Sequence, residues 1–398
     1  MKDRPSVLLV DRIKQPFANF LGQDFAGGVI LIIATLVALI WANSSFSESY
    51  FSILKFPISI KLGDIELANP LAYWVKDVLM TIFFFLVGLE IKKELAIGHL
   101  SKPSKAALPM IAALGGMVVP AALFFWINAG TEFSAGWGIP MATDIAFAVG
   151  VLTLFGKSVP MALRIFLLAL AIVDDLGAVM VIAFLYSSGV SAEYLMAAAA
   201  GLFVVAMMNQ IGIRNIFLYV IVGVFVWYFF RQSGIHSTMA GVILGLMTPF
   251  YRIEEEDQAP LDRLAHSVHP WVTYFIMPVF ALTSAGVVLK DFQLSQLFGH
   301  PVSLGVIVGL FVGKPLGIFL FSYAACKLKI ASLPEGVSWP QIGSVGFLAG
   351  IGFTMSIFVS ALAFKGSAVV DISKVGIFAG SLFSGIAGYL ILSYLKKK

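Results

Sequence analysis

Long apolar stretches alternate with short polar segments along almost the whole chain. A membrane-spanning helix needs about 20 mainly apolar residues, and the pattern predicts twelve such spans. They lie at about 24–42, 71–90, 106–127, 137–156, 161–187, 192–210, 214–231, 236–250, 267–289, 301–325, 338–364 and 372–395. The eighth is short and Gly-rich, so its ends are the least sharply defined. No polar stretch is long enough for a separate domain, so residues 1–398 are predicted to form one all-α, polytopic membrane domain.

One segment has the period of a strand instead. Residues 57–67 alternate apolar and polar side chains on both sides of Gly63-Asp64, which predicts a small β-hairpin. An isolated hairpin is marginal in water. It therefore either pairs with its twin in a homodimer or lies on the membrane surface, and the sequence leaves both open.

Composition supports the membrane assignment. The chain is 59% hydrophobic and only 12% charged, whereas soluble domains carry about 25% charged residues. Cys326 is the single cysteine, so an internal disulfide is excluded. Residues 1–19 are polar and basic and lack the apolar core of a signal peptide. The net charge of +4 comes from cytoplasmic loops, so no nucleic-acid partner is predicted.

The loop charges predict the orientation, because cytoplasmic loops are enriched in Lys and Arg. Of the 26 Lys and Arg residues, two lie inside spans and 18 lie in segments on the side of the N-terminus. The opposite side carries Lys55, Lys61, Arg231, Lys290, Lys365 and Lys374. Both termini are therefore predicted to be cytoplasmic, in agreement with an even number of spans.

Two adjacent carboxylates, Asp174 and Asp175, lie inside the fifth span. One Asp at the centre of a membrane helix costs about 2.5–3.5 kcal/mol on insertion scales. An ionisable residue retained at such a cost indicates a site for an ion or a proton. The alternative is a structural pair, neutralised by protonation or by a basic partner.

The fourth span contains Pro140 and flanking glycines, followed directly by Thr143 and Asp144. This pattern predicts a helix broken in mid-membrane, which is tolerated where the exposed backbone lines a cavity. An ordinary proline kink is the alternative. In the eleventh span Gly352, Thr354 and Ser356 indicate either a second break or close helix packing.

Lys314 lies about 13 residues inside the tenth span, too deep for its ammonium group to reach either surface. It therefore requires a carboxylate partner or a lowered pKa. The third to fifth spans (about 106–187) start from the cytoplasm, and the tenth to twelfth (about 301–395) start from outside. The middle span of each unit is interrupted by glycines, which predicts an inverted-repeat transporter with a site at the membrane midplane.

These motifs together resemble the NhaA family of bacterial Na⁺/H⁺ antiporters, from about Asp24 to Tyr394. The densest matches are Phe85–Glu94, Ile139–Gly150, Ile165–Gly177, Gly313–Gly317 and Gly346–Phe358. The resemblance implies an inner-membrane protein whose fourth and eleventh helices are broken and cross each other. The hairpin would be the dimer contact.

The resemblance also implies roles for single residues. Asp174 and Asp175 would bind the ion beside Thr143, and Asp144 and Lys314 would offset the dipoles of the half-helices. A cytoplasmic funnel involved in the pH response would be lined by charged residues of the second span and by two histidines of the ninth. With a further histidine at the outer end of the eighth span, the pH-sensing candidates are Glu90, Lys93, Glu94, His236, His266 and His269.

Two positions depart from the family pattern. Ala265 stands where some relatives have an acid, and Lys93 where some have Arg. Both departures bear on the pH at which activity begins.

The expected function is pH-regulated exchange of cytoplasmic Na⁺ or Li⁺ for protons by alternating access, with the ions as cargo and no cofactor. Exchange would be electrogenic if two protons move per Na⁺, and the second proton carrier would be Asp175 or Lys314. The main rival is a Na⁺-coupled organic-solute symporter, which needs a polar solute pocket. An intramembrane aspartyl protease is disfavoured, because its two Asp residues lie on different helices, whereas these two are adjacent.

Overall fold

The computed structural model describes residues 24–62, 65–187, 189–213, 215–250, 259–289, 294–364 and 368–396. The first half contains α1 (Asp24–Asn43), α2 (Ser47–Lys55), β1 (Pro57–Leu62), β2 (Ile65–Pro70), α3 (Leu71–Trp74), α4 (Met80–Ala96), α5 (Pro103–Ile127), α6 (Ile145–Thr153), α7 (Met161–Leu185) and α8 (Ala192–Ile211). The second half contains α9 (Ile216–Gln232), α10 (Thr238–Met247), α11 (Pro260–Trp271), α12 (Met277–Ser284), α13 (Leu294–Gly299), α14 (Pro301–Val308), α15 (Lys314–Lys327), α16 (Trp339–Ala349), α17 (Phe353–Ala363) and α18 (Val369–Lys396).

Three predicted spans contain a wider π-helical turn instead of running as regular α-helix. Val75–Leu79 joins α3 to α4, Val272–Ile276 joins α11 to α12, and Gly309–Gly313 joins α14 to α15. Short 3₁₀ segments cover His99–Ser101, Glu132–Met141 and Gly156–Ser158. π-Helical turns often occur at functional sites, and the third one ends immediately before Lys314.

The described helices confirm a polytopic, mainly helical membrane protein. Seven of them are long and apolar enough to cross a membrane, or eight if α16 and α17, bent by 48° at their break, form one span. The remaining predicted spans correspond to the shorter α9 and α10 and to the two helices interrupted near Val75 and Val272. The sequence pattern thus located the helices but did not predict these interruptions.

Glycines let two spans pack backbone to backbone. Gly88 of α4 faces the carbonyl of Val242, and Gly241 of α10 faces the carbonyl of Thr81, each so closely that a Cβ atom would collide with it. Small residues at such contacts are typical of membrane helix pairs. The short eighth span is thereby fixed against the second.

The predicted hairpin is present. β1 pairs antiparallel with β2, with Pro57 opposite Pro70 and Lys61 opposite Glu66. The second strand extends three residues beyond the predicted Leu67. The expected Gly63-Asp64 turn lies outside the described residues.

Candidate functional site

The fourth and eleventh spans are both broken and meet at their breaks. In the fourth span, the 3₁₀ segment ends at Met141 and α6 begins at Ile145. In the eleventh, α16 ends at Ala349 and α17 begins at Phe353. The amide of Asp144 donates a hydrogen bond to the carbonyl of Ile351 (2.7 Å), so the two interrupted backbones are in direct contact.

Asp144 lies between the N-termini of two half-helices. Its Oδ1 accepts a hydrogen bond from the Phe147 amide (3.3 Å), which makes it the N-cap of α6. Its Oδ2 accepts hydrogen bonds from the Thr354 amide (3.1 Å) and hydroxyl in the first turn of α17. Helix N-termini carry a partial positive charge, so one carboxylate faces two positive ends.

The opposite half-helix ends present carbonyl groups, and each meets a donor. The ammonium group of Lys314 donates to the carbonyl of Met141, and the hydroxyl of Thr143 is 2.9 Å from the carbonyl of Ala349. Cations and hydrogen-bond donors suit C-terminal helix ends. The crossing therefore has a negative group at its positive ends and a cation at a negative end.

Lys314 also forms an ion pair with the fifth span. Its Nζ lies 2.5 Å from Oδ2 of Asp174, and both side chains are completely buried. The hydroxyl of Thr143 is 2.6 Å from the same carboxylate oxygen. Buried charges persist when they are paired and hydrogen-bonded, and Asp174 Oδ2 meets both conditions.

One further oxygen of each carboxylate of the pair has no hydrogen-bond partner. Asp174 Oδ1 and Asp175 Oδ1 are buried and make no hydrogen bond to any described residue. Three negative charges, those of Asp174, Glu90 and Asp144, act on Asp175 against the one positive charge of Lys314. Unpartnered carboxylate oxygens in a negative environment suit a hard cation or a proton.

Glycine and serine shape the crossing. A Cβ atom on Gly352 would collide with the Ser356 hydroxyl and approach the carbonyl of Ala142 to 3.0 Å. The Ser356 hydroxyl donates to the carbonyl of Ile139 (2.8 Å). The sequence left open whether the eleventh span is broken or closely packed. It is both, because its break lies at a point of close packing.

The pH-sensing candidates fall into separate places. Glu90, Lys93 and Glu94 lie in the last two turns of α4. Lys93 forms an ion pair with Asp262 of α11 (2.7 Å), and this helix also carries the two histidines. The second span is thereby tied to the ninth.

Two histidines project from α11. His266 and His269 follow Asp262 by four and seven residues, spacings that place all three on one face of the helix. Both histidines are exposed.

His236 is not part of this group. Its Nδ1 is 2.8 Å from the hydroxyl of Thr238, and its ring packs edge-on against Phe358. It lines a cavity of about 280 Å³ together with Asp77. Asp77 precedes Glu90 by 13 residues on the same span, which is about 20 Å along a helix.

The sequence interpretation missed two acids. Asp77 is buried, with Oδ1 2.5 Å from the Ser237 hydroxyl, and its place inside a span was the same signal that identified Asp174. Asp262 had no such signal, because its pairing with Lys93 depends on how two helices pack.

The chain was compared with known proteins. The sequence profile described as Na⁺/H⁺ antiporter 1 matches residues 18–392. A protein of Pseudomonas putida named Na⁺/H⁺ antiporter NhaA 1 is 45% identical over 389 residues, covering 97% of this chain and 98% of the relative. The Na⁺/H⁺ antiporter NhaA of Yersinia pseudotuberculosis is 47% identical over 377 residues, covering 94% and 95%.

A solved structure has a similar fold. It is the sodium proton antiporter MjNhaP1 of Methanocaldococcus jannaschii, which superposes with a TM-score of 0.52 at 14% identity and covers 96% of this chain and 97% of its own. At that identity the likeness concerns the fold alone.

Proposed function

The chain belongs to the Na⁺/H⁺ antiporter 1 family, and from that premise we propose that it exports Na⁺ or Li⁺ from the cytoplasm in exchange for protons at the crossing of its broken spans. Asp174 and Asp175 bind the cation, and Thr143 contributes a hydroxyl oxygen. The observation that carries this proposal is the pair of buried, unpartnered oxygens, Asp174 Oδ1 and Asp175 Oδ1, beside the break.

Exchange follows from competition for the same oxygens. Asp175 is buried and forms no ion pair among the described residues, so it holds either a proton or a cation. Asp174 is neutralised by Lys314. An arriving Na⁺ displaces the proton from Asp175 and competes with the ammonium group for Asp174.

Lys314 is the better candidate for the second proton carrier. When Na⁺ takes the place of the ammonium group beside Asp174, Lys314 remains buried without its carboxylate, and a buried ammonium group without a partner loses its proton. One Na⁺ then exchanges for two protons, one from Asp175 and one from Lys314. Such exchange moves net charge, so the membrane potential drives Na⁺ export.

Asp144 supports alternation without binding the cargo. Its charge compensates the half-helix ends at Phe147 and Thr354. The two half-helix pairs are then able to move relative to α7, exposing Asp174 and Asp175 first to one side and then to the other, as expected for inverted-repeat carriers.

The proposal also covers the orientation in the membrane, the pH response and the association of two chains. Both termini face the cytoplasm of a bacterial inner membrane, as the excess of basic residues on that side predicts. The Lys93–Asp262 pair, with His266 and His269 on the same helix, contributes to the pH response. The hairpin β1–β2 is a sheet of two strands, and strand edges of this kind suit pairing with a second copy of the chain.

Transport in everted membrane vesicles tests the ion site. After a proton gradient is established, added Na⁺ or Li⁺ should collapse it in the wild type. Asp174→Asn and Asp175→Asn should abolish the collapse while the protein is still inserted. Asp371→Asn is the matched control, because Asp371 is an exposed carboxylate paired with Lys374, and it should retain full activity. Wild-type rates in either site variant would overturn the assignment.

The same vesicles separate the antiporter from a solute symporter. Labelled Na⁺ should move without any organic solute, because the proposed site consists of carboxylate and hydroxyl oxygens alone. A strict requirement for a solute would favour the symporter.

A further inference from the structure

Through two buried serines, the last helix, α18, reaches the break of the eleventh span and the π-helical turn of the tenth. Ser381 Oγ accepts a hydrogen bond from the amide of Phe353 (3.2 Å), the first residue of α17. One turn later, Ser384 donates to the carbonyl of Leu310 (3.2 Å), inside the π-helical turn of the tenth span. Both serines are buried.

Ser381 completes the set of acceptors at the start of α17. The first amides of a helix have no partner within the helix itself. Asp144 takes the amide of Thr354, and Ser381 takes that of Phe353. Phe353 has a φ of 20°, a backbone conformation that L-residues rarely adopt, so the start of this half-helix depends on outside contacts.

Ser384 acts on the segment that precedes the buried lysine. A π-helical turn disturbs the regular hydrogen bonding of the helix, and the Ser384 hydroxyl satisfies the carbonyl of Leu310, four residues before Lys314. Gly350 lies between them, and a Cβ atom there would collide with the Leu310 carbonyl and the Ser384 hydroxyl. The π-helical turn, the break and α18 therefore meet at one point.

We propose that Ser381 and Ser384 are positioning residues for ion binding, an inference that rests on the ion site proposed above. From one helix, they fix the start of α17, which Asp144 faces, and the π-helical turn that directly precedes Lys314. Neither serine touches the ion. Their hydrogen bonds set how Asp144 and Lys314 are held relative to Asp174.

Loss of either hydrogen bond should weaken cation binding more than turnover. In Ser381→Ala or Ser384→Ala, a buried amide or carbonyl loses its partner and the local backbone relaxes. We expect the KM for Na⁺ to rise about three- to tenfold, the size of one net hydrogen bond, with the maximal rate within about twofold because no ligand is removed.

Ser381→Ala should also displace the pH profile. The amide of Phe353 loses its acceptor next to the amide that Asp144 accepts, so the potential at the crossing becomes more positive. Activity should therefore begin at a lower pH than in the wild type. Ser381→Thr keeps the hydroxyl acceptor and should restore both KM and pH profile.

The test uses the full-length protein reconstituted in proteoliposomes, with Na⁺ titrations at several pH values. Ser373→Ala is the matched control, because Ser373 is a buried serine of the same helix whose hydroxyl bonds to Ser360 and the Val370 carbonyl, away from the breaks. It should leave KM and pH profile unchanged. If Ser381→Ala fails to insert into the membrane, Ser381→Cys is used in its place. Cys has nearly the volume of Ser, but its sulfur is only a weak hydrogen-bond acceptor.

The possible results are decisive. Raised KM values in the two variants, with rescue by Thr and a normal control, support the proposal. Wild-type KM values and pH profiles in both variants overturn it, as does an equal change in Ser373→Ala. If the proposed ion site is itself wrong, a different result shows it, namely transport activity in Asp174→Asn or Asp175→Asn.

Discussion

The ammonium nitrogen of Lys314 lies 2.5 Å from Oδ2 of Asp174, and neither side chain is exposed to solvent. The same ammonium group donates to the carbonyl of Met141. One side chain of α15 thereby links the fifth span to the end of a half-helix in the fourth. Because both side chains are buried, each charge depends on the other for its stabilisation.

Breaking this pair should destabilise the protein. Lys314→Gln leaves a buried carboxylate without its cation, which costs about 3–5 kcal/mol of unfolding free energy. A proton is able to neutralise Asp174 in place of Lys314, so the deficit should be small at acidic pH and grow as the pH rises. The midpoint of thermal unfolding in detergent, measured across pH, checks this expectation.

The double variant Asp174→Asn/Lys314→Gln provides the control. It removes both charges, so it should recover much of the stability lost in Lys314→Gln and lose the dependence of the deficit on pH. A double variant less stable than Lys314→Gln at high pH would contradict the account.

The Lys93–Asp262 ion pair should behave differently, because it lies at the surface. Its side chains are 46% and 33% exposed, and exposed pairs contribute only about 0–1 kcal/mol. Asp262→Asn should leave thermal unfolding almost unchanged. If the pair contributes to the pH response, Asp262→Asn should alter the pH profile of transport, and the exchanged pair Lys93→Asp/Asp262→Lys should restore it. An unaltered profile in Asp262→Asn would remove this pair from the pH response.

Sequence alone singled out the charged residues of the spans but not the contacts that they make. Asp174, Asp175 and Lys314 stood out because a charged residue in an apolar span is costly, and the interruption near Pro140 was visible in its glycines. Their arrangement was not visible. Lys314 and Met141 are 173 positions apart in the sequence, and Thr143 and Ala349 are 206 positions apart. Contacts between residues so far apart in the sequence depend on how the helices pack.

The same limit explains the residues that pattern reasoning passed over. In the sequence, Ser381 and Ser384 look like ordinary small residues of a membrane helix. Only the structure shows that they bond to the start of α17 and to the π-helical turn of the tenth span. The π-helical turn at Gly309–Gly313 has no sequence signature beyond its glycines. Local periodicity predicts helices, whereas interruptions within them follow from what their neighbours require.

Thr143 offers one hydroxyl proton to two acceptors, Asp174 Oδ2 at 2.6 Å and the Ala349 carbonyl at 2.9 Å. Thr143→Val preserves the shape of the side chain and removes the hydroxyl. We expect a KM for Na⁺ raised about tenfold, because the variant loses one proposed oxygen ligand and leaves one carbonyl unpaired. Thr143→Ser should stay within about threefold of the wild type. Titrations of Na⁺ in proteoliposomes measure both, and equal KM values for Val and Ser would exclude the hydroxyl from ion binding.

Gly241 sets how closely the eighth span approaches the second. A Cβ atom on Gly241 would collide with the backbone carbonyl of Thr81, and backbone cannot swing aside as a side chain does. Gly241→Ala should therefore push α10 from α4, at a cost of about 1–3 kcal/mol typical of overpacking. Gly343→Ala is the control, because Gly343 lies in α16 with nothing within 4 Å of its added Cβ atom; Ala should be neutral or stabilising there. Thermal unfolding midpoints in detergent measure both variants. Equal midpoints for the two would contradict the backbone contact between these spans.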